Sequence, residues 1–158
     1  MGKSFKIQKY GSTKDIANAF NNLNKAVEEG TKEALMKTGL KGEQLAVKHM
    51  KSQDLGWQPL DEKYLARKKK QGESNKVLIA STTYLQSITS VFQGNKTFVG
   101  VKRDAKAENG ESLVDIAYIH EFGSIARNIT RRPLWQPVLK ELRQFVKKSQ
   151  IFKKSIKK

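Results

Sequence analysis

The chain has no cysteine, which excludes disulfides, thiolate zinc sites and cysteine nucleophiles together. Histidine is nearly as scarce, with only His49 and His120. His120-Glu121 begins like the helical zinc-protease pattern, but Ser124 stands where a second histidine is required. Local hydrogen bonds or contact with a neighbouring subunit therefore suit His120 better than a metal. Long apolar runs are missing too. None exceeds four residues, as in Val77-Leu78-Ile79-Ala80, against roughly 20 residues for a membrane span. Met1-Gly2-Lys3-Ser4 is basic without an apolar stretch behind it, so no secretory signal is expected, and the myristoylation pattern is incomplete. The phosphate-binding Gly-x-x-x-x-Gly-Lys-Ser/Thr loop, the Gly-x-Gly-x-x-Gly turn and the Gly-x-Ser-x-Gly elbow are all absent. Asp61-Glu62 is an acidic pair at a helix start, where carboxylates complement the dipole. No catalytic residue, cofactor or metal site is expected. The chain reads as non-enzymatic, soluble and made in a reducing cytosol.

What is abundant is positive charge. The 158 residues suit one domain with its own core, and 31 Lys and Arg against 15 Asp and Glu leave a net charge of +16. The excess is uneven. From Arg127 onward there are eleven bases and one acid, Glu141; the first 126 residues hold twenty bases and fourteen acids. Ten of the sixteen excess charges thus sit in the last fifth. This asymmetry implies a polyanionic partner, either nucleic acid or an acidic protein surface. The candidate contacts are Arg67-Lys68-Lys69-Lys70, with Tyr64 nearby, and Lys147, Lys148, Lys153 and Lys154, with Phe152. No helix-turn-helix or RNA-binding signature surrounds them, so any DNA contact is expected to be non-specific.

Periodicity predicts α+β architecture in a single domain over residues 1–149, followed by a basic tail over 150–158. Phe5 and Ile7 alternate with polar residues as a short first strand. Ser12 and Asp15 form a capping pair. Ile16, Phe20, Leu23 and Val27 follow at helical spacing as one apolar stripe. Gly30 leaves two alternatives, a second helix capped by Thr31 or one long helix bent at the glycine. Gly39 and Gly42 cost helix propensity, which points to close approach of a neighbouring element. A loop spans 52–60, and Asp61 to Gln71 is a short basic helix with Tyr64 and Leu65 on one side. Val77 to Ile79 is buried, and Ser81-Thr82-Thr83 caps a turn around Tyr84 and Leu85. Ser87 to Phe92, Gly94-Asn95 and Thr97 to Val101 form a β-hairpin. Residues 102–112 read as an exposed loop, Leu113, Val114 and Ile116 as a third strand, and Ala117 to Phe122 as a helix stopped by Gly123. After a flexible basic stretch at 124–132, Pro133 and Pro137 bracket the start of a last amphipathic helix carrying Val138, Leu142, Phe145 and Val146.

Taken in order, several of these pieces form a series: Trp57-Gln58-Pro59-Leu60 with Tyr64 and Lys68, then Leu78-Ile79-x-Ser81-x-Thr83-x-Leu85-x-Ser87-Ile88, then Val99-Gly100. Ile116-Ala117-Tyr118-Ile119-His120-Glu121-Phe122-Gly123 comes next, followed by Arg132-Pro133-Leu134-Trp135-x-Pro137. The series resembles the virion-morphogenesis and tail-completion proteins of tailed bacteriophages over roughly residues 14–147. Its most specific part is Tyr118 to Gly123 with Arg132-Pro133 downstream. Thr83-Tyr84 departs from the usual Thr-Gly, and Trp135 falls where phenylalanine is common.

The resemblance implies a structural virion protein of the neck, a ring-forming subunit that joins the tail to the DNA-filled head without catalysis. Tail completion, tail terminator and head-side stopper all remain open, as do hexameric and dodecameric rings. The implied partners are further copies of the chain, the neighbouring connector or stopper, terminator and tube proteins, and genomic DNA through non-specific contact. The implied location is the virion, assembled in the host bacterial cytoplasm, with no membrane partner. Tyr118, His120, Glu121, Phe122, Arg127, Arg131, Arg132 and Trp135 are the candidates for contact between subunits, since aromatic and Arg residues are favoured anchors. The basic segments Arg127 to Arg132 and Lys147 to Lys158 are expected to dock mainly on acidic neighbours, with DNA second.

Overall fold

The computed structural model describes residues 11–79 and 82–156. They form α1 (Thr13–Ser52), α2 (Glu62–Lys70), α3 (Thr83–Gln86), β1 (Ile88–Gln93), β2 (Lys96–Val101), α4 (Leu113–Phe122), α5 (Trp135–Ser149) and α6 (Ile151–Ile156). The architecture is α+β, as expected. The strand anticipated at Phe5 and Ile7 lies outside the described residues.

Helix α1 opens with a capping box. The Ser12 side chain accepts from the Asp15 N–H, and the Asp15 carboxylate accepts from the Ser12 N–H at 2.7 Å. The helix then runs 40 residues through Gly30 as one element, a rod about 60 Å long. This decides between the two alternatives left by Gly30. Its two halves live in different surroundings. Residues 13–29 are exposed throughout, whereas Gly30, Ala34, Thr38, Gly39, Gly42, Leu45, Ala46, His49 and Met50 are buried. Burial over the second half outweighs the propensity lost at its three glycines, about 1 kcal/mol each.

The hairpin lies against this second half. It pairs Ile88 with Val101, Ser90 with Val99 and Phe92 with Thr97 on one face. A Cβ at Gly39 would stand 2.7 Å from Thr97 Oγ1, and one at Gly42 2.9 Å from Val99 Cγ2. The expected close approach is thus found at both glycines. The Glu43 carboxylate adds an anchor by accepting from the Ser90 N–H. On the opposite face, Val91 and Phe98 pair across the strands and remain exposed. Core residues Met50, Tyr84, Ile88, Leu113, Leu134 and Val138 then join α1, the hairpin, α4 and α5 into one cluster.

Three expectations are corrected. Leu113, Val114 and Ile116 are not a third strand: they begin α4, because the Ser112 side chain accepts from the Asp115 N–H and starts a helix there. The sheet among the described residues has two strands. Segment 102–112 is an exposed loop, as expected, pinned where the Ala107 N–H donates to Glu111 O at 2.8 Å and Ala105 and Ala107 pack on the core. Residues 124–132 close a turn in which Ser124 and Ile129 exchange backbone hydrogen bonds at 2.9 and 2.8 Å. The basic tail becomes α6, packed on α1 with Ile151 and Ser155 buried. Gln150, in the left-handed conformation at φ 49°, ends α5 just before α6 begins.

The basic helix α2 also differs in detail. Asp61 caps it as expected, accepting from the N–H groups of Lys63 and Tyr64. Lys68, read as part of its solvated basic surface, is buried instead. Its ammonium donates to the carbonyl oxygens of Lys76 at 3.1 Å and Ile79 at 2.7 Å. Burial first, and the Arg67 charge after it, pull the Lys68 pKa below its ordinary value.

Candidate functional site

Three separated segments interlock beside α4. The Trp57 indole N–H donates to Pro133 O at 2.9 Å, and Arg132 Nε reaches Gln58 O at 3.4 Å. The Arg132 backbone N–H donates to His120 O at 2.6 Å. Glu121 completes the knot. One of its carboxylate oxygens accepts from the N–H groups of Leu134 at 2.7 Å and Trp135 at 2.9 Å, and the other from Gln136 at 3.1 Å. Helix α5 has no side-chain cap of its own at Leu134. A carboxylate from α4 therefore satisfies its first free donors, with the charge sign that a helix N-terminus favours. Pro137, in the first turn, has no N–H to leave unsatisfied. Burial, and then the Glu121 charge, push the neighbouring Tyr84 phenol above its ordinary pKa.

This geometry sorts the candidate contact residues. Of the residues expected at a subunit boundary, Glu121 is buried and His120 is half-buried beside the larger hollow. His120 is held neutral: burial, with the Arg132 charge second, lowers its pKa from 6.5 to about 4. Trp135 and Arg132 are half-buried in the same knot. Tyr118 and Phe122 are 66% and 59% exposed with ring centroids 4.8 Å apart. Together with Val101, Val114 and Leu139 they line an apolar groove of about 420 Å³ between β2, α4 and α5. Arg127 and Arg131 are exposed on the 124–132 turn. Arg127 and Arg132 face a second, more polar hollow of about 770 Å³, with Asp61, Tyr64 and Arg67 on the α2 side. Lys147, Lys148, Lys153 and Lys154 are exposed on α5 and α6. They belong to the packed helical surface rather than to a free tail. No group of His, Cys, Asp and Glu able to hold a metal occurs among the described residues, and none of their helices is long and apolar enough to cross a membrane.

Two features escaped sequence reasoning. The stripe Ile16, Phe20, Leu23 and Val27 was legible as a helix face, but its exposure was not: the four side chains are 52%, 62%, 55% and 38% exposed. A signal was present, since the residues flanking the stripe include Ala17, Ala19 and Ala26 rather than charges. Buried His49 is the other. Its Nδ1 lies 2.6 Å from an Asp54 carboxylate oxygen, and its buried Nε2 faces Glu141 of α5 at 2.9 Å without hydrogen-bond geometry. The contact with His49 holds the Asp54 carboxyl below the usual range. Nothing in the spacing of 49 and 141 announces that pair.

Over 93 residues, 58% of this chain, the sequence is 33% identical to a protein of Methanocaldococcus jannaschii named "Uncharacterized protein MJ0331". The match covers 62% of that protein, so the chain spans less than two thirds of its relative's length. No family model matches the chain, and no solved structure matches it.

Proposed function

We propose that the chain is a structural, ring-forming subunit of the neck or tail-completion region of a tailed bacteriophage, where it joins the tail to the DNA-filled head. The observation that carries this reading is the knot around Glu121. The resemblance rests most heavily on the segments at Trp57–Leu60, Tyr118–Gly123 and Arg132–Pro137. These meet in one hydrogen-bonded unit, although the Trp57–Pro133 bond alone spans 76 residues. Short matches scattered by chance have no reason to converge in space. A ring subunit also needs two unlike contact surfaces, because each copy meets a different patch on the next. The exposed stripe of α1 and the Tyr118–Phe122 groove supply two such apolar surfaces. In this reading the protein resides in the virion, has no catalytic role and meets acidic neighbours through its lysine-rich α5 and α6.

The exposed lysines favour a second reading, non-specific DNA binding, which predicts affinity falling steeply with salt. Tail terminator and head-side stopper are variants of the first reading. Light scattering and negative-stain images of the purified protein test the ring directly, with closed rings expected. Deleting the gene from its phage is expected to leave filled heads beside unjoined tails. Infectious particles at the normal yield defeat the proposal.

A further inference from the structure

The first half of α1 has no reason to be a helix on its own account. Isolated helices of this length are marginal in water, and residues 13–29 are exposed throughout among the described residues. Yet its apolar face is strict. Ile16, Ala19, Phe20, Leu23, Ala26 and Val27 recur in steps of three and four, with no charge among them. That face runs on without interruption into Gly30, Ala34 and Thr38, where the same side of the helix is buried against the body. The arm therefore extends an existing internal interface beyond the edge of its own domain. Because α1 is continuous, the arm cannot fold back onto its own groove.

From this we infer that the arm of one copy docks in the Tyr118–Phe122 groove of the next, in a head-to-tail contact. The inference rests on the ring reading only for closure of the contact into a ring. Three observations select a second copy as the occupant. The lengths are similar: Ile16 to Val27 covers about 16 Å of helix, and Val114 to Phe122 along α4 about 12 Å. The polarities match, apolar stripe against apolar groove. The charges also permit it. Two molecules at +16 repel one another, but residues 13–29 hold two lysines against three carboxylates and are net −1. Glu28 and Glu29 at the arm's base suit Lys102 and Arg103, exposed just past the end of β2, and Lys140, exposed on α5. Pairing arm with arm gains no such complementarity and leaves the grooves open.

The absence of native cysteine makes a clean test. L23C and Y118C proteins, each substituted at an exposed position, are mixed in equal amounts and oxidised gently. The inference expects the disulfide between positions 23 and 118 as the dominant product. It also expects F20D/L23D and Y118D/F122D proteins each to run as monomers when alone and to combine, when mixed, into a dimer that grows no further. In that dimer the intact arm of the second seats in the intact groove of the first. Circular dichroism matching the unsubstituted protein checks that each variant is folded. A dominant 23–23 disulfide, unimpaired assembly of the groove variant, or a mixture that stays monomeric overturns the inference. Closed rings lacking the 23–118 disulfide overturn it while leaving the ring reading intact. Open chains or dimers that contain it do the reverse.

Discussion

Trp57 holds Pro133 by a hydrogen bond from its indole N–H to the proline carbonyl oxygen, 2.9 Å long and 76 residues apart in sequence. The bond fastens the loop after α1 to the start of α5. Trp57→Phe keeps most of the ring's contacts and removes the donor, so it is expected to cost about 1 kcal/mol. Urea unfolding at neutral pH measures it. An unchanged midpoint shows that water replaces the indole at no cost.

Removing the Glu121 carboxylate is expected to cost more. Glu121→Ala leaves the N–H groups of Leu134, Trp135 and Gln136 without their acceptor, at about 2–3 kcal/mol for a lost cap in a buried setting. Glu121→Gln retains one acceptor oxygen and is expected to fall between. If the alanine variant melts like the unsubstituted protein, the capping role is wrong.

Gly42→Ala separates packing from propensity. Alanine favours a helix by about 1 kcal/mol over glycine, but its Cβ would meet Val99 at 2.9 Å. Overpacking a close contact costs typically about 1–3 kcal/mol, so the expected net effect is destabilising. A stabilised variant in thermal unfolding shows that the hairpin yields without strain.

His120 supplies a pH dependence whose sign is definite. The folded protein holds its pKa at about 4, below the ordinary 6.5, through burial and then Arg132. The unfolded chain therefore binds a proton that the folded one refuses. The resulting stability is fully present above about pH 6.5 and is lost as the pH falls toward about 4, up to about 2 kcal/mol between pH 7 and pH 5. Unfolding of the protein and of His120→Gln across that range checks it. The variant should show the shallower slope, whatever its absolute stability.

How far the sequence carried can be judged element by element. The Ser12–Asp15 cap, the Asp61 cap, the hairpin at Gly94 and the stop at Gly123 were legible because each is written in neighbouring residues. The close approach at Gly39 and Gly42 was legible from what those positions lack. The failures came where short signals were ambiguous: Leu113, Val114 and Ile116 are apolar enough for a strand, yet they open α4 behind Ser112, whose side chain accepts from the Asp115 N–H. Lys68 looked solvated because its acceptors, the carbonyls of Lys76 and Ile79, are backbone atoms that no residue type announces. Among the site candidates, Tyr118 and Phe122 emerged exposed while Glu121 turned inward. A six-residue helical segment cannot show which of its faces the rest of the chain will cover.

Replacing Lys147, Lys148, Lys153 and Lys154 with glutamine tests the basic surface of α5 and α6. All four are exposed, so the fold is expected to stand. Head–tail joining is expected to weaken in a salt-dependent way, even with heads that hold no DNA. If joining is normal and only DNA affinity falls, DNA is the partner instead.

The unbroken passage of α1 through Gly30 has a mechanical consequence. A helix embedded along its second half and free along its first acts as a lever with its fulcrum at the domain edge. The free part is about 25 Å long, so a tilt of about 10° moves its tip by roughly 4 Å. Force applied at Ile16 would be delivered as torque where Gly39 and Gly42 bear on the hairpin. A neighbour that grips the tip would thus set the attitude of the whole body, and small changes of angle would pass from one molecule to the next as rotation.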